Sequence, residues 1–547
     1  MKEGFRQSMN WVHTWSGLLV GWVLFMVFAA GTACYYRDEI TFWMKPELHQ
    51  ARLGLPPEAE VVNHTVAALQ QRAPTSQRWF ISLPTVREPG VRASWSGAPV
   101  VKGAAEPPLE PGVTRRGRFY SAVLDPATGK LLAVTRETRG GEFFYRLHFD
   151  LHYMPAIWAR WIIGFCAMFM LVAIITGIVT HRRIFADFFT FRPRKGQRSW
   201  LDAHNATAVL ALPYHLMITY TGLVTLMLMY MPWGPQVTYQ GDPQAFTAEV
   251  FPASGPRDPK PSGMATPLTP ITPLITEAQQ RWGKGSIGRI TVNNPGDAVA
   301  TITLSRKSEH TMSSAQPTLV FNGSSGKLLS EVGEDRGAVF TTRSVLYGLH
   351  QGRFADPLLR LLFFVSGLAG CGMVATGLLL WAVKERNKYT KVVAKGGRVG
   401  WASRLVDGLN VGAIAGLMIA IPAFFWANRL LPVGMSARGQ AEIDLFFGVW
   451  GLAAIAGLAW PTRRMWMVQL GIAAFLFGAI PLLNAATTAT HLGVSIPAGL
   501  WRVAGFDLTC LALGVALLMC VGWLARRKPA RSAQRTGATH LTGEPAL

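Results

Sequence analysis

The sequence predicts a mainly α-helical polytopic membrane protein, with about eight transmembrane helices and two α+β domains outside the bilayer. Three observations carry that reading. Half of the 547 residues are apolar and only 15% are charged, where soluble domains carry about 25%. Apolar runs of about 20 residues, the length that crosses a hydrocarbon core, recur along the chain. The net charge of +22 is concentrated in short loops between those runs. A soluble globule, a disordered chain and a nucleic-acid binder are all poor fits to that distribution. The five cysteines, Cys34, Cys166, Cys371, Cys510 and Cys520, lie in or beside apolar runs. The sequence has neither CxxC nor CxxCH, which argues against a thiol redox pair, a cysteine zinc site and covalent c-type haem.

The spans are taken in order. They fall at 11–36, 156–180, 205–232, 357–383, 405–428, 442–460, 465–484 and 503–525. The first is too long for a signal-peptide core and is read as an uncleaved anchor. Between the second and third spans the loop holds Arg182, Arg183, Arg192, Arg194, Lys195 and Arg198 against a single acid, Asp187. The loop after the fourth span holds Lys384, Arg386, Lys388, Lys391, Lys395 and Arg398. Arg463 and Arg464 mark the turn between the sixth and seventh spans, and five more basic residues lie in the tail at 526–547. With eight spans all of these fall on one side, together with Lys2 and Arg6. The positive-inside rule makes that side the cytoplasm. Two long segments, 37–155 and 233–356, are left outside, each long enough for a small domain.

The first half of the chain repeats. His13 opens the first span and Gly31 follows 18 residues later; His204 opens the third and Gly222 again follows at 18. Eighteen residues are five helical turns, so each His shares a face with its Gly. Each outer segment carries a similar strand-turn, LDPATGKLLAV and FNGSSGKLLSE, then a Leu-His before the next span, at His148 and His350. The second and fourth spans align on Gly177 and Gly377. The unit of span, outer domain and span is thus used twice, and both copies start on the inside. Residues 405–525 show no such pattern and form a separate add-on bundle.

Seven of the 12 histidines cluster at or in the first four spans: His13, His148, His152, His181, His204, His215 and His350. Imidazole near hydrocarbon needs a partner, which makes these residues candidates for function. Neutral imidazole is an axial ligand of haem iron. A zinc site would draw on carboxylates or thiolates, and these spans are nearly free of acids. His13, His181 and His204 lie near the inner boundary, and His148, His152 and His350 near the outer one. His215 lies within the third span, 11 residues after His204. Gly17 and Gly21 follow His13 on nearly the same face, which suits either a flat macrocycle or close helix packing. His148 and His152, one turn apart on a continuous helix, would face one site. His49, His64, His310 and His540 read as surface residues, and His491 stays unassigned. Asp444 reads as a helix N-cap, and Pro213 as a helix break next to His215.

With these motifs in hand, residues 8–385 resemble the PepSY-associated transmembrane proteins. The first span opens His13-Thr-Trp-Ser-Gly17, similar to that family's His-x-Trp-x-Gly. The stretch at 180–223 and LYGLHQGRFADPLLR at 346–360 resemble its later spans. The run ITEAQQRWGKGSIGRITVNNP with FNGSSGKLL resembles a PepSY domain, and 59–136 a divergent one. The resemblance implies a bacterial inner-membrane protein with two PepSY-like periplasmic domains and noncovalent haem b. It also implies a ferric-siderophore reductase, an oxidoreductase that passes electrons to iron chelates in the periplasm. His13, His148, His204 and His350 match the family's histidine motifs, and His181 and His215 fall in a stretch specific to one branch.

The resulting expectation is a dihaem electron conduit in the bilayer. A pair drawn from His13, His181 and His204 holds an inner haem, and a pair drawn from His148, His152, His215 and His350 an outer one. The substrate is a ferric siderophore or another ferric chelate, released as Fe(II) for iron acquisition. No dinucleotide fingerprint opens a βαβ unit, so the electron donor is another protein, a quinol or a soluble reductant. Two other classes compete. A transporter suits the internal repeat but lacks the usual midplane acids. A peptide-binding or sensory module would leave the histidines replaceable.

Overall fold

The computed structural model describes residues 3–49, 56–85, 90–97, 110, 112–132, 136–181, 192, 195–251, 259–307, 311–333, 336–393 and 401–526. Of the basic loop residues singled out above, Arg182, Arg183, Arg194, Lys395 and Arg398 lie outside that set, as do His310 and His540.

The first repeat unit opens with the long helix α1 (Glu3–Cys34). A tight turn leads into α2 (Arg37–Trp43). The outer segment then supplies α3 (Glu58–Arg72) and strands β1 (Arg78–Ser82), β2 (Val91–Ser96), β3 (Val113–Arg116) and β4 (Phe119–Leu124). Helix α4 (Gly140–Asp150) returns to the bilayer surface, and α5 (Ala156–Thr180) crosses it. The second unit repeats the plan. The third span is broken into α6 (Gln197–Leu210) and α7 (Leu212–Tyr230) at Ala211, with Pro213 in the first turn of α7. A proline there has no N–H to lose to a continuous ladder, so the expected break is where the helix divides. Short helices α8 (Trp233–Thr238) and α9 (Pro243–Val250) follow, the second capped by the Asp242 carboxylate, which accepts from Gln244 N at 2.7 Å. Next come α10 (Thr272–Trp282) and strands β5 (Ile287–Asn293), β6 (Thr301–Arg306), β7 (Thr318–Asn322) and β8 (Leu328–Val332). Helix α11 (Ala338–Gln351) then leads into α12 (Pro357–Val393).

The strands of both outer segments lie in one antiparallel eight-stranded sheet, ordered β3-β4-β2-β1-β5-β6-β7-β8. The expected two small domains are therefore joined edge to edge. Their seam is β1 against β5, with Ile81 opposite Ile290, and both side chains are fully buried. Alternation puts Trp79 and Ile81 of β1 on the same face as Ile290 and Val292 of β5, where they pack with Val62, Leu69 and Ile275 of α3 and α10. Pairing the two β1-type edges removes an unpaired edge that each half would otherwise expose. The equivalent turns close alike: Asp125 Oδ1 accepts Ala127 N at 2.9 Å, and Asn322 Oδ1 accepts Ser324 N at 3.0 Å.

The C-terminal part starts with α13 (Trp401–Asn410), which runs through a π-helical turn at Val411–Ala415 into α14 (Gly416–Leu430). Then follow α15 (Arg438–Ala459), α16 (Arg463–Gly478), α17 (Ile480–Thr487), α18 (Leu492–Ser495) and α19 (Trp501–Arg526). The Thr462 hydroxyl caps α16. Helices α16 and α17 bend by 40° at their junction. Among the described residues, seven helices are long and apolar enough to cross a membrane, or eight if the bent pair is one span. Their outward faces stay apolar: Leu358 is 77% exposed, Leu452 69% and Phe475 66%. This is a multi-pass membrane protein whose sheet lies beyond one end of the helix bundle. Asp444 is not an N-cap: it sits well inside α15 and bonds the Tyr153 hydroxyl and Gln440 Nε2.

Candidate cofactor site

Four of the expected histidines occupy four copies of one socket. His13 Nδ1 donates to the Ala173 carbonyl at 2.8 Å. His204 Nδ1 donates to Met373 O at 2.8 Å, His148 Nδ1 to Val27 O at 2.9 Å, and His350 Nδ1 to Ile218 O at 3.1 Å. In each case a glycine follows four residues after the carbonyl: Gly177, Gly377, Gly31 and Gly222. A Cβ on any of them would stand 2.8–3.2 Å from the Cε1 of its imidazole. Three sockets add a threonine one place earlier. Thr176 and Thr376 lie 3.5 Å from their imidazoles and Thr221 lies at 3.2 Å; the fourth has Ala30. The glycines of the sequence repeat are therefore the floor on which these rings lie. The Thr-Gly dipeptide, visible in three spans, is the signal that would have found the sockets.

Each socket is filled from within its own repeat unit: His13 and His148 dock on α5 and α1, His204 and His350 on α12 and α7. The imidazoles then pair across units. The ring centres of His13 and His204 are 6.2 Å apart, and those of His148 and His350 are 6.1 Å apart. The interplanar angles are 68° and 33°. A metal such as zinc bonds imidazole nitrogen at about 2.0–2.1 Å, so two imidazoles that shared one ion would have ring centres about 6 Å apart. Both pairs match that spacing. Fixing Nδ1–H on a carbonyl leaves Nε2 as the ligating nitrogen in the neutral tautomer, the arrangement that orients metal-bound histidines in general. On α11, outside the spans, burial pushes the His350 imidazole down to about 3, with His148 adding to the effect, and burial likewise lowers His148 on α4. Both rings are thus neutral and able to bind a metal at physiological pH.

The His13–His204 pair opens on a cavity of about 510 Å³ at the end of the bundle opposite the sheet. That size falls within the range for small-molecule and cofactor sites. Its walls are mainly apolar, from residues such as Leu24, Met170, Val374 and Leu378, and Asn10, Gln197, Asn205, Arg6 and Lys384 also line it. The two glycines after His13 part ways. A Cβ on Gly17 would meet open space, whereas one on Gly21 would strike Leu378 at 2.7 Å. Gly17 leaves room in the cavity, and Gly21 serves helix packing.

The other candidates fall outside these pairs. His181 caps α5 and lines the same cavity, accepting from Asn205 Nδ2 at 2.8 Å. His215 is fully buried at the deep end, edge-on to Phe28, and neither ring nitrogen completes a hydrogen bond. No second imidazole faces it among the described ring contacts. His152 turns away from His148. Helix α4 ends at Asp150, and Leu151, His152 and Tyr153 all take positive φ (49°, 28° and 56°), so helical facing one turn on does not apply. Its ring stacks on Phe447 of α15 at 5.6 Å. His49 is not a surface residue. It is 4% exposed, with Nδ1 2.6 Å from Thr490 Oγ1 and Nε2 donating to Phe42 O at 2.8 Å. His64 is half-buried on α3, and His491 precedes α18 as its N-cap. Trp15, Trp158 and Tyr220 are largely exposed, while Tyr214 bonds the Tyr35 hydroxyl at 3.0 Å.

The donor set suits haem b. It offers two pairs of neighbouring imidazoles, each ring oriented by a backbone carbonyl, that would hold the group. For the first pair it adds a mainly apolar cavity with an absent side chain at Gly17, and Arg6 and Lys384 among its lining residues supply positive charge. No group of three or more His, Cys, Asp or Glu side chains that could hold a bare metal ion occurs among the described residues.

Comparison with known proteins agrees with this architecture. The family model described as the PepSY-associated TM region matches residues 10–384. The uncharacterized protein PA4219 of Pseudomonas aeruginosa is similar, 25% identical over 388 residues that cover 68% of this chain and 92% of that protein. The matched region spans most of the chain, and the chain belongs to the PepSY-associated transmembrane family.

Proposed function

We propose that this PepSY-associated transmembrane protein is a b-type dihaem electron conduit of the bacterial inner membrane that reduces ferric siderophores or other ferric chelates. The observation that supports it most is the pair of imidazole pairs, 6.2 and 6.1 Å between ring centres, at opposite ends of one helix bundle. His13 and Gly31, which mark the two levels on α1, are 18 residues and about 27 Å of helix rise apart. Bound haem would supply a one-electron Fe(III)/Fe(II) couple at each level.

The residues of the chain do the rest. His13 and His204 would hold one cofactor near the basic loops, which the positive-inside rule assigns to the cytoplasm. His148 and His350 would hold the other beneath the sheet, on the periplasmic side. The carbonyls of Ala173, Met373, Val27 and Ile218 fix the tautomers and ring directions. The apolar side chains Leu24, Met170, Val374 and Leu378 lower the local dielectric around the first site. A ferric chelate meeting the sheet-side end gains one electron per iron. Fe(II) is a weaker match for hard oxygen donors and leaves the chelator. The electron donor on the basic side is a protein, a quinol or a soluble reductant.

The test is an absorption spectrum of the purified protein, oxidised and dithionite-reduced, with a pyridine haemochrome count. The reading expects low-spin b haem at two per chain, and Fe(II) captured by a ferrous-specific dye when the reduced protein meets a ferric chelate. A colourless protein, made with haem available during expression, overturns it.

A further inference from the structure

Residues 401–526 lie beyond the family match at 10–384, yet they bury a charged cluster. Arg438, Glu442 and Asp507 are fully buried, and Arg429 is 6% exposed. Ionisable groups inside a membrane bundle are costly and mark function by default. These line no cavity among those described. They reach instead to the two chain segments that bracket the first outer domain.

The contacts are specific. Glu442 Oε1 accepts from Arg438 Nη1 at 2.5 Å and from Asn428 Nδ2 at 2.8 Å. Its Oε2 accepts from the Thr138 hydroxyl at 2.6 Å. Arg438 Nη1 also donates to Glu137 O at 2.9 Å, and Arg136 Nη1 donates to Asn428 O at 2.7 Å. A second group holds α2. Trp43 Nε1 donates to Asp507 Oδ1 at 2.8 Å, Arg429 Nη2 donates to Trp43 O at 2.8 Å, and the Arg429 guanidinium lies 3.8 Å from the Trp43 ring centre.

Both groups converge on the start of α4. Its Gly141 N donates to Thr41 Oγ1 of α2 at 2.9 Å, and a Cβ on Gly141 would overlap the backbone of Arg37. Phe143 packs on Phe424 and Phe446, each at 4.9 Å between centres. His148 follows within the same 11-residue helix. The partner helix α11, which carries His350, packs chiefly on α7 and α9 within its own repeat unit.

We propose that the C-terminal spans are a brace for His148: the Arg438–Glu442 pair, and Arg429 and Asp507 acting separately through Trp43 of α2, fix the start of α4 and thereby the distance and twist of His148 against His350. Thr138, Glu442 and Asp507 are then positioning residues for the sheet-side pair alone. This rests on the dihaem reading.

The experiment uses the full chain with haem. First, His148→Ala and His204→Ala assign the two haem signals; if neither removes a haem, the dihaem reading fails and the brace falls with it, whereas failure of the brace alone leaves both assignments intact. Next come Thr138→Val, which deletes one hydroxyl, and Asp507→Asn, which keeps an acceptor for Trp43. Both should retain two haems. The sheet-side haem should show a displaced midpoint potential and altered low-spin EPR g values. Its transfer to a haem-scavenging apoprotein should speed up about tenfold, the scale of outer-shell effects on metal sites, while the other haem stays unchanged. The proposal is overturned if both signals stay as in the unsubstituted protein, or if both haems shift equally, as a general loss of stability would produce.

Discussion

The two imidazole pairs use the same socket but are carried differently. His13 and His204 sit on helices that run into the spans themselves, so the bundle that buries them also sets their spacing. His148 and His350 sit on short helices, α4 and α11, beyond the spans. Helices of 11 and 14 residues are marginal alone and take their position from what they pack against. A ligand on a span is positioned by the bundle core, whereas a ligand on a short surface helix needs a separate hold. The C-terminal helices supply that hold to one of the two.

The largest effect that could break this comparison is loss of a pair. His204→Ala should remove one haem of two and leave the sheet-side spectrum intact, because its socket partners lie on α6 and α12 alone. His350→Ala should do the converse. A haemochrome count with redox titration reads both. Loss of both haems in either variant would show that the pairs are not independent.

The socket glycines come next. Gly177→Val and Gly222→Val push a side chain into imidazoles already 3.2 and 2.9 Å from a bare Cβ. Overpacking of this kind costs about 1–3 kcal/mol, enough to turn a ring off its carbonyl. Each variant should weaken haem binding at its own level only. Equal loss at both levels would mean that the glycines serve helix packing rather than ligand seating.

Much of this was legible in the sequence. Spans, repeat and the 18-residue register from histidine to glycine are periodic signals along one helix, and a single chain displays them. Pairing is not, because His13 meets Ala173 and His148 meets Val27 only through the tertiary fold. A spacing of four groups His152 with His148 only on a continuous helix, and three left-handed residues starting at Leu151 end α4 before His152. His49 and Asp444 sit in locally unremarkable stretches, and their partners, Thr490 and Tyr153, lie hundreds of residues away in the chain. Two outer segments were readable as similar units, but nothing local says that β1 and β5 share a seam.

The clamp around Trp43 sharpens the comparison through pH. Burial pushes His49 down to about 4, below the ordinary 6.5 or so of the unfolded chain. Between those values the unfolded chain takes up the proton and the fold does not, so stability is complete above about pH 6.5 and falls as pH drops toward 4. At pH 5 the loss is about 2 kcal/mol. Thermal unfolding at pH 7 and pH 5 should show it, and His49→Gln should flatten the difference. The sheet-side haem should loosen over the same window, ahead of the basic-side one.

The smallest effect concerns the one socket that departs from the others. Thr221 supports His350 at 3.2 Å, while the His148 socket has Ala30 at the equivalent place. A single hydrogen bond contributes about 1 kcal/mol, so Thr221→Val should weaken the sheet-side haem only a few-fold. If His148 is held by α2 and the C-terminal helices, Ala30→Thr alone should change little, since that ring is already fixed. A gain as large as the loss in Thr221→Val would place the hold on His148 in its socket and not in the helices behind it.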